Sequence, residues 1–540
     1  MIKLESVSVP ATSRFASLYQ EQKQPVVDYF HYQLKDETVY ENRLAELKNK
    51  SFQRENLVQS IKNYMKPFPT SDKITQSLEK LRGDGVVVIG GQQAGVFTGP
   101  LYTIHKVISI IKLAEEQEKR LGHPVVPVFW IAGEDHDYEE INHIFVKKQG
   151  ELKKMGYPER LIEKKMATHI TIDKEKLSRF THELFTELGE REGTKSLHNM
   201  IHQAIECSNT FVDFFSCLIM TLFKDSGLLL IDAADSEFRK LEIPHFQQLF
   251  NHSSSITEAV LETQQKLRQD GFSPIIDVEE DSMNLFYYHD HDRKLLKKND
   301  DKIMTKDGQM EWDYQDLYQQ IEVHPEIFSN NVVTRPIMQE KMFPTLAFIA
   351  GPGEMAYWAE LKDAFECVQE KMPPIVPRLS LTLVEPHVHK FLLQIGLTPD
   401  KVLMDGIKDS REKLFQTHRD VELEQQLESV KNYLQEQYET IALRGKELDL
   451  GLTPIIEKNI HFHTRQLDFL LEKVQKSAKW KDKISMNHLE EIEVALKPNG
   501  APQERVWNVL YFLNKYGEDF IPILIQQDLT FDGKHKVVYL

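Results

Sequence analysis

The chain runs to 540 residues with 83 acidic against 66 basic side chains, a formal net charge of −17; that length exceeds one ordinary core, so two or three structural units are expected. The acidic surplus excludes a nucleic-acid or anionic-membrane binder acting through its whole surface, while a local basic pocket for a small anion stays open. Cys207, Cys217 and Cys367 are too few and too scattered for a disulfide scaffold or a thiolate zinc site. The opening MIKLESVSVPATSRF has no secretory-leader pattern and no apolar run reaches about 18 residues, so a reduced, soluble, cytoplasmic protein is expected.

Residues 12–68 read as polar helices, closed by the turn-rich PFPTSD. Next come VVVIGGQQAGVFTGP at 86–100, a helical pattern ending at Gly122, and the apolar run in PVVPVFWIAGEDHDYEEI: strand, helix, strand, a βαβ unit. The same rhythm returns in DSGLLLIDAADSEFRKL, with a strand over roughly 227–232, and in PTLAFIAGPGEMAYWAELKDAFE at 344–366. Three strand-to-helix junctions predict a mainly parallel sheet, with functional groups at the carboxyl ends of its strands. Two charged or mixed stretches, about 150–200 and 268–330, look inserted: the first as helices on the sheet's rim, the second as a small mixed region over its open end.

Beyond residue 385 the character changes. Leu423, Leu427, Val430, Leu434 and Ile441 step at heptad spacing, and Leu467, Leu471, Val474 and Ala478 do so again after GLTP. Two long helices joined by a turn predict an antiparallel coiled-coil arm, which pairs subunits if it mediates association, with helices packed flat on the main body as the alternative. The expected division is a core over 1–385 including both insertions, a helical arm over 386–500, and a segment over 501–540 returning to the core.

Three places carry candidate chemistry. In GGQQAGVFTG, Gly90, Gly91, Gly95 and Gly99 permit close backbone approach. The segment matches neither GxxxxGK[ST] nor GxGxxG, which sets aside a Walker or dinucleotide reading; a purely structural turn remains open. Gln92 and Gln93 suit a sugar hydroxyl, a base edge or an amino acid, and Lys106 and His105 can place positive charge above them. In GEDHDYEE, Glu134, Asp135, His136, Asp137 and Glu139 follow directly on a strand. Their carboxylates suit an ammonium or a magnesium ion and the imidazole suits proton transfer, with loop solvation as the plain alternative. The second DHD, Asp290 to Asp292, lacks that placement and reads as surface. In VVTRPIMQE and AFIAGPGEMAYWAEL, the fork of Arg335 suits a carboxylate or phosphate, Glu354 projects from the turn of Gly351, Pro352 and Gly353, and Tyr357 and Trp358 can wall a ligand. A structural pairing for Arg335 and a core role for both aromatics are the alternatives.

The motifs GGQQAGVFTGPLYTIHK, WIAGEDHDYEEINH, VVTRPIMQE, FIAGPGEMAYWAEL and APQERVWN, in this order over nearly the full chain, resemble those of the bacillithiol-biosynthesis cysteine-adding enzyme family. The resemblance implies an α/β fold: a Rossmann-like parallel-sheet core with two connecting insertions and a C-terminal α-helical antiparallel coiled-coil arm forming a homodimer, distantly similar to class I aminoacyl-tRNA synthetases. It implies amide formation between L-cysteine and the amine of glucosaminyl malate, the last step of making a low-molecular-weight thiol, with ATP and Mg²⁺ as the expected source of carboxylate activation. No protein-bound metal, nucleic-acid partner or membrane is expected. On that reading, backbone N–H groups at Gly91, Gly95, Gly351 and Gly353 take the nucleotide, with Lys106 or Arg335 stabilising developing negative charge. Glu134 or Asp137 orients the attacking ammonium and His136 removes its proton. Gln92, Gln93, Thr98, Arg335, Glu354, Tyr357 and Trp358 contact substrate.

The chain departs from the class I pattern: Gln92 and Gln93 stand where histidines of a HIGH motif belong, and the nearest segment to KMSKS is GIKDSREK. Competing readings are a non-catalytic ligand-binding or scaffold protein of the same pathway, and a nucleotidyltransferase or glycosyltransferase.

Overall fold

The computed structural model describes residues 2–148, 150–159, 164–417, 420–480 and 483–540. They form two compact units, one of residues 1–383 with 501–540 and one of residues 384–500.

The first unit is built on a five-stranded parallel sheet: β1 (Val86–Gln92), β2 (Val125–Ile131), β3 (Leu229–Asp232), β4 (Thr345–Ala350) and β5 (Ile375–Pro377). Both faces of a parallel sheet are covered, so its strands read as unbroken apolar runs; every residue of β2, β3 and β4 is buried. The spatial order is β5-β4-β1-β2-β3. The chain moves outward from β1 through β2 to β3, then returns to lay β4 on the other side of β1. The order reverses between β1 and β4, and ligands of open α/β sheets bind outside the strand ends at such a reversal. β5, a short strand in PPIVPRLS, is a parallel member that the sequence pattern did not announce.

Helix Leu101–Leu121 follows β1 and ends where Gly122 adopts the left-handed conformation (φ 58°) and donates to Glu118. The expected rim helices of the first insertion are present as Lys174–Leu188 and Thr194–Cys207, but a hairpin, His143–Lys148 with Glu151–Gly156, precedes them. Residues 160–163 of that insertion lie outside the described residues. The second insertion is a five-stranded antiparallel sheet with helix Tyr314–Val323. Its strands Ser282–His289 and Asp292–Asn299 are joined through Asp290 (φ 48°) and His291 (φ 63°). Two consecutive left-handed residues form the tight hairpin turn that matches strand twist, so this DHD is turn chemistry.

The C-terminal segment completes the first unit. His535–Tyr539 pairs antiparallel with Lys3–Val7 and lies beside Leu381–Val384. Buried Glu504 takes Arg378 through two hydrogen bonds of 2.8 and 2.6 Å and His105 Nδ1 at 3.1 Å.

In the second unit, helices Val421–Leu448 and Thr453–Trp480 run antiparallel, tied by Lys431 Nζ to Asp468 Oδ1 (2.7 Å) and by Tyr438 to Asn459. Leu467, Leu471 and Val474 lie on the half-buried seam of the second helix as expected. On the first, the seam runs through Leu427, Lys431, Leu434, Tyr438 and Ala442, while Leu423, Val430 and Ile441 stand exposed beside it. The heptad template selected two neighbouring stripes because both are apolar. No helix among the described residues is long and apolar enough to cross a membrane.

Candidate active site at the sheet's reversal point

The turn after β1 is shaped by packing. A Cβ on Gly91 would come within 2.4 Å of the Trp130 carbonyl oxygen, and one on Gly95 within 2.7 Å of Gly99 Cα, so neither position admits another residue. Phe97 (φ 50°) and Thr98 (φ 74°) are left-handed, a conformation costly outside glycine. It is held from the C-terminal segment: Asn508 Nδ2 donates to Phe97 O at 2.8 Å and Gly99 O at 2.7 Å, and Leu101 N donates to Trp507 O. Thr98 is buried and its hydroxyl oxygen has no hydrogen-bond partner.

Lys106 projects from the second turn of helix Leu101–Leu121 back under this loop. Its Nζ donates to Gly91 O (2.7 Å) and Gln92 Oε1 (3.3 Å) and forms an ion pair with Glu354. Glu354 also accepts from Gly351 N at 2.7 Å, so one carboxylate clasps the ends of β1 and β4 together. Burial holds the Lys106 ammonium below its ordinary value, with Glu354 pulling the other way. A triphosphate cradle needs open backbone donors and uncommitted positive charge. Here the Gly95 N–H already donates to Gln93 O, and Lys106 is tied to Gly91 O and neutralised by Glu354, so the residues of this turn do not fit that group. Open space lies only over Gly353 among the four glycines expected to hold a nucleotide.

The loop after β2 carries a cluster of titratable side chains. A Cβ on Gly133 would fall 2.1 Å from Asp232 Oδ1, so the loop lies directly over the end of β3. Asp232 accepts from Thr168 Oγ1 (2.7 Å) and Ala234 N (3.0 Å), and burial pushes its carboxyl up to about 6. Thr168 N and Ala167 N donate to the carbonyls of Gly133 and Asp135. Glu134 is buried and bonded to Arg239 Nη2 at 3.0 Å and to Asn330 N at 3.3 Å, which commits it to holding the loop against the second insertion. Asp137 is exposed, at the start of the short helix Tyr138–Ile141.

Asp135 and His136 face the site between them. Asp135 accepts from Gln93 Nε2 (2.7 Å) and from His136 N (2.8 Å). Burial alone would raise its carboxyl, but Gln93, Arg293 and the His136 N–H outweigh it and hold it below the ordinary range. The imidazole of His136 lies edge-on to Phe286, its Nδ1 3.8 Å from Asp135 Oδ1 and without a hydrogen-bond partner among the described residues. Burial first, then the Arg293 charge, lower its pKa, so the ring is neutral at pH 7.

Arg293 is the group that sequence reading missed. It follows the exposed hairpin turn, yet it is buried, donates to Ser329 Oγ (2.9 Å), pairs with Asn330 O and lies 4.0 Å from the Phe286 ring centroid. Alternation along strand Asp292–Asn299 was the available signal; which face meets the core depends on the partner sheet. Asn330, also unforeseen, is buried with both side-chain amide atoms unpartnered. Arg335, at the start of helix Thr334–Met342, donates to Tyr357 OH at 3.4 Å and has no carboxylate within 4 Å among the described residues. Trp358 is buried against Phe348 and Phe365, a core position. Gln92, Gln93, Lys106, Glu354, Asp135, His136, Arg335 and Tyr357 are therefore linked around the β1, β2 and β4 ends. Among the described residues no group of three or more His, Cys, Asp or Glu side chains is gathered for a metal ion.

Two family models cover the chain: the N-terminal Rossmann-like domain of bacillithiol biosynthesis BshC over residues 2–379, and the C-terminal coiled-coil domain of the same protein over residues 381–540. The chain belongs to the BshC family. Relatives named "Putative cysteine ligase BshC" include those of Geobacillus sp. strain WCH70, 39% identical over 100% of both chains, and of Anoxybacillus flavithermus, 42% identical over 99% of both. One from Bacillus cereus strain AH187 is 37% identical over 100% of both. The Rossmann-like core, inserted strands and helices, and long helical arm of this BshC-family chain agree with those two models. A solved Campylobacter jejuni chain described as a putative arginyl tRNA synthetase covers 88% of this chain at 10% identity and a TM-score of 0.22, a score that carries no argument.

Proposed function

We propose that this chain joins the carboxyl carbon of L-cysteine to the amine of glucosaminyl malate, the closing step of bacillithiol assembly. One observation carries the reading: an ionised Asp135, held by Gln93 and within electrostatic reach of Arg335, stands beside a neutral His136, and among the described residues the His136 Nδ1 has no hydrogen-bond partner and the Arg335 guanidinium no carboxylate partner of its own. An amine enters as ammonium and must lose a proton before attack. Asp135 holds that ammonium, and His136 accepts the proton at Nδ1. Arg335 takes a substrate carboxylate on its planar fork. Amide formation in water also needs the cysteine carboxylate converted to a leaving group. Nucleotide-dependent activation, with ATP and Mg²⁺, is part of this proposal; the turn after β1 does not fit a triphosphate, so no step is assigned to it there. Lys106 and Glu354 act by holding the β1 and β4 ends at fixed spacing.

The test is to incubate purified chain with L-cysteine, glucosaminyl malate, ATP and Mg²⁺ under reducing conditions and follow thiol product and nucleotide by mass spectrometry, beside His136→Ala. Product with AMP supports an adenylate and product with ADP an acyl phosphate. Binding of both substrates without product at any protein concentration rejects the self-sufficient ligase and favours a ligand-binding or scaffold role. The exposed stripe Val430, Tyr433 and Ile441 on the arm supports a further proposal, that the arm pairs two chains. A monomeric mass in solution across micromolar concentrations would overturn it.

A further inference from the structure

Two consecutive helices at and beyond the end of the first insertion bring together two cysteines that sequence spacing treats as isolated. Cys207 ends helix Thr194–Cys207 and Cys217 lies two turns into helix Phe211–Phe223. The turn between them is firmly set. Thr210 Oγ1 accepts from Asp213 N at 3.1 Å, while Asp213 Oδ2 accepts from the N–H groups of Asn209 and Thr210 at 3.0 Å each. This capping box folds the second helix back along the first and places the two Sγ atoms 2.7 Å apart. Cys207 is exposed and Cys217 is buried. Cys367 is elsewhere, its Sγ donating to Ser255 O at 3.5 Å.

We propose that Cys207 and Cys217 form a redox-active dithiol, a modification site that low-molecular-weight disulfides convert to an intramolecular disulfide. Cys207, the sulfur that solvent reaches, attacks one sulfur of the small disulfide as thiolate; that S–S bond breaks, one small thiolate leaves, and a mixed disulfide forms on Cys207. Cys217 then loses its proton and attacks the Cys207 sulfur, releasing the second small thiolate. The two protons lost by the protein thiols are taken up by the two leaving thiolates, so the dithiol is oxidised by two electrons and the small disulfide is reduced to two thiols. Burial and the neighbouring Cys207 sulfur push the Cys217 thiol up, which fits Cys217 as the second, resolving partner rather than the first attacker. Disulfide formation needs specific approach of the two side chains, and the capping box sets the two helices so that the sulfurs already meet.

The experiment exposes the reduced, folded chain to cystine and maps its thiols by mass spectrometry under non-reducing conditions. The expected result is a nearly stoichiometric linkage between the peptides of Cys207 and Cys217, reversed by dithiothreitol. Cys217→Ser should instead retain one cysteine adduct on Cys207. Cys207→Ser, an exposed change that leaves packing intact, should abolish the linkage and leave Cys217 unmodified. A stable adduct on Cys207 of the unsubstituted chain, adducts on Cys367 alone, or thiols that all stay reduced would each overturn the proposal.

Discussion

His136 sits where burial, the Arg293 guanidinium and the Asp135 carboxylate act on one imidazole, and the first two prevail in keeping it neutral. In the reaction proposed above His136 is the base and acts deprotonated, and its lowered pKa carries the deprotonated form to more acidic pH. The acid limb of the rate profile should therefore have its midpoint below 6.5, the ordinary value, and His136→Ala should cost about 10²- to 10⁴-fold in rate. An acid limb centred above that value would remove His136 from the role. Asp232 gives a prediction about stability. Its folded pKa of about 6 exceeds the ordinary 3.8, so the fold binds this proton more tightly than the unfolded chain does. The associated stability is full below 3.8 and is lost as pH rises through 6. Between pH 5 and 7 the chain should lose about 1–2 kcal/mol from this group. In Asp232→Asn that share of the slope should vanish, as read from urea unfolding at the two pH values; an unchanged slope would assign the dependence to other groups.

The turn after β1 and the loop after β2 owe their shapes to elements far along the chain. Asn508 satisfies two buried carbonyls of the left-handed turn, and an unsatisfied buried polar group costs about 1–3 kcal/mol. Asn508→Ala should lower stability by roughly that amount for each carbonyl left bare, measurable as a drop in urea midpoint; a change under about 0.5 kcal/mol would show that water replaces the amide. This division also explains what the sequence could tell. Four of the five sheet strands and the helix ending at Gly122 were legible, because apolar runs and glycine punctuation are local signals. The site was half legible: Gln93, Lys106, His136 and Arg335 were singled out by chemical type. The partner of Gln93 proved to be Asp135. The commitment of Glu134 to Arg239 and the burial of Arg293 depend on how segments distant in the chain meet. The 2.7 Å approach of Cys207 to Cys217 was hidden for the same reason, since spacing does not reveal how two helices fold together.

At the scale of the whole molecule, the first unit is made of two stretches of chain, 1–383 and 501–540, with residues 384–500 forming a unit of their own. The closing stretch supplies the strand His535–Tyr539, the Glu504 partner of Arg378 and His105, and the Asn508 brace. A chain ending at Gly500 should therefore fail to fold its sheet unit, whereas residues 384–500 expressed alone should give a helical circular-dichroism spectrum with cooperative melting. A truncated chain that retained near-ultraviolet dichroism and the full chain's urea midpoint would contradict this.

The pairing of Lys3–Val7 with His535–Tyr539 has a consequence for biogenesis. Tyr539 donates to Glu5 across 534 positions of sequence, and Lys536 Nζ reaches Ser6 Oγ at 2.9 Å. Translation at ~5–20 residues per second leaves the first strand of the nascent chain waiting roughly half a minute to two minutes for its mate. Throughout that interval it is an unpaired edge beside a ribosome, open to wrong partners. Its Lys3 and Glu5 are the charged side chains that discourage such pairing, so this strand carries its own protection until His535–Tyr539 emerges.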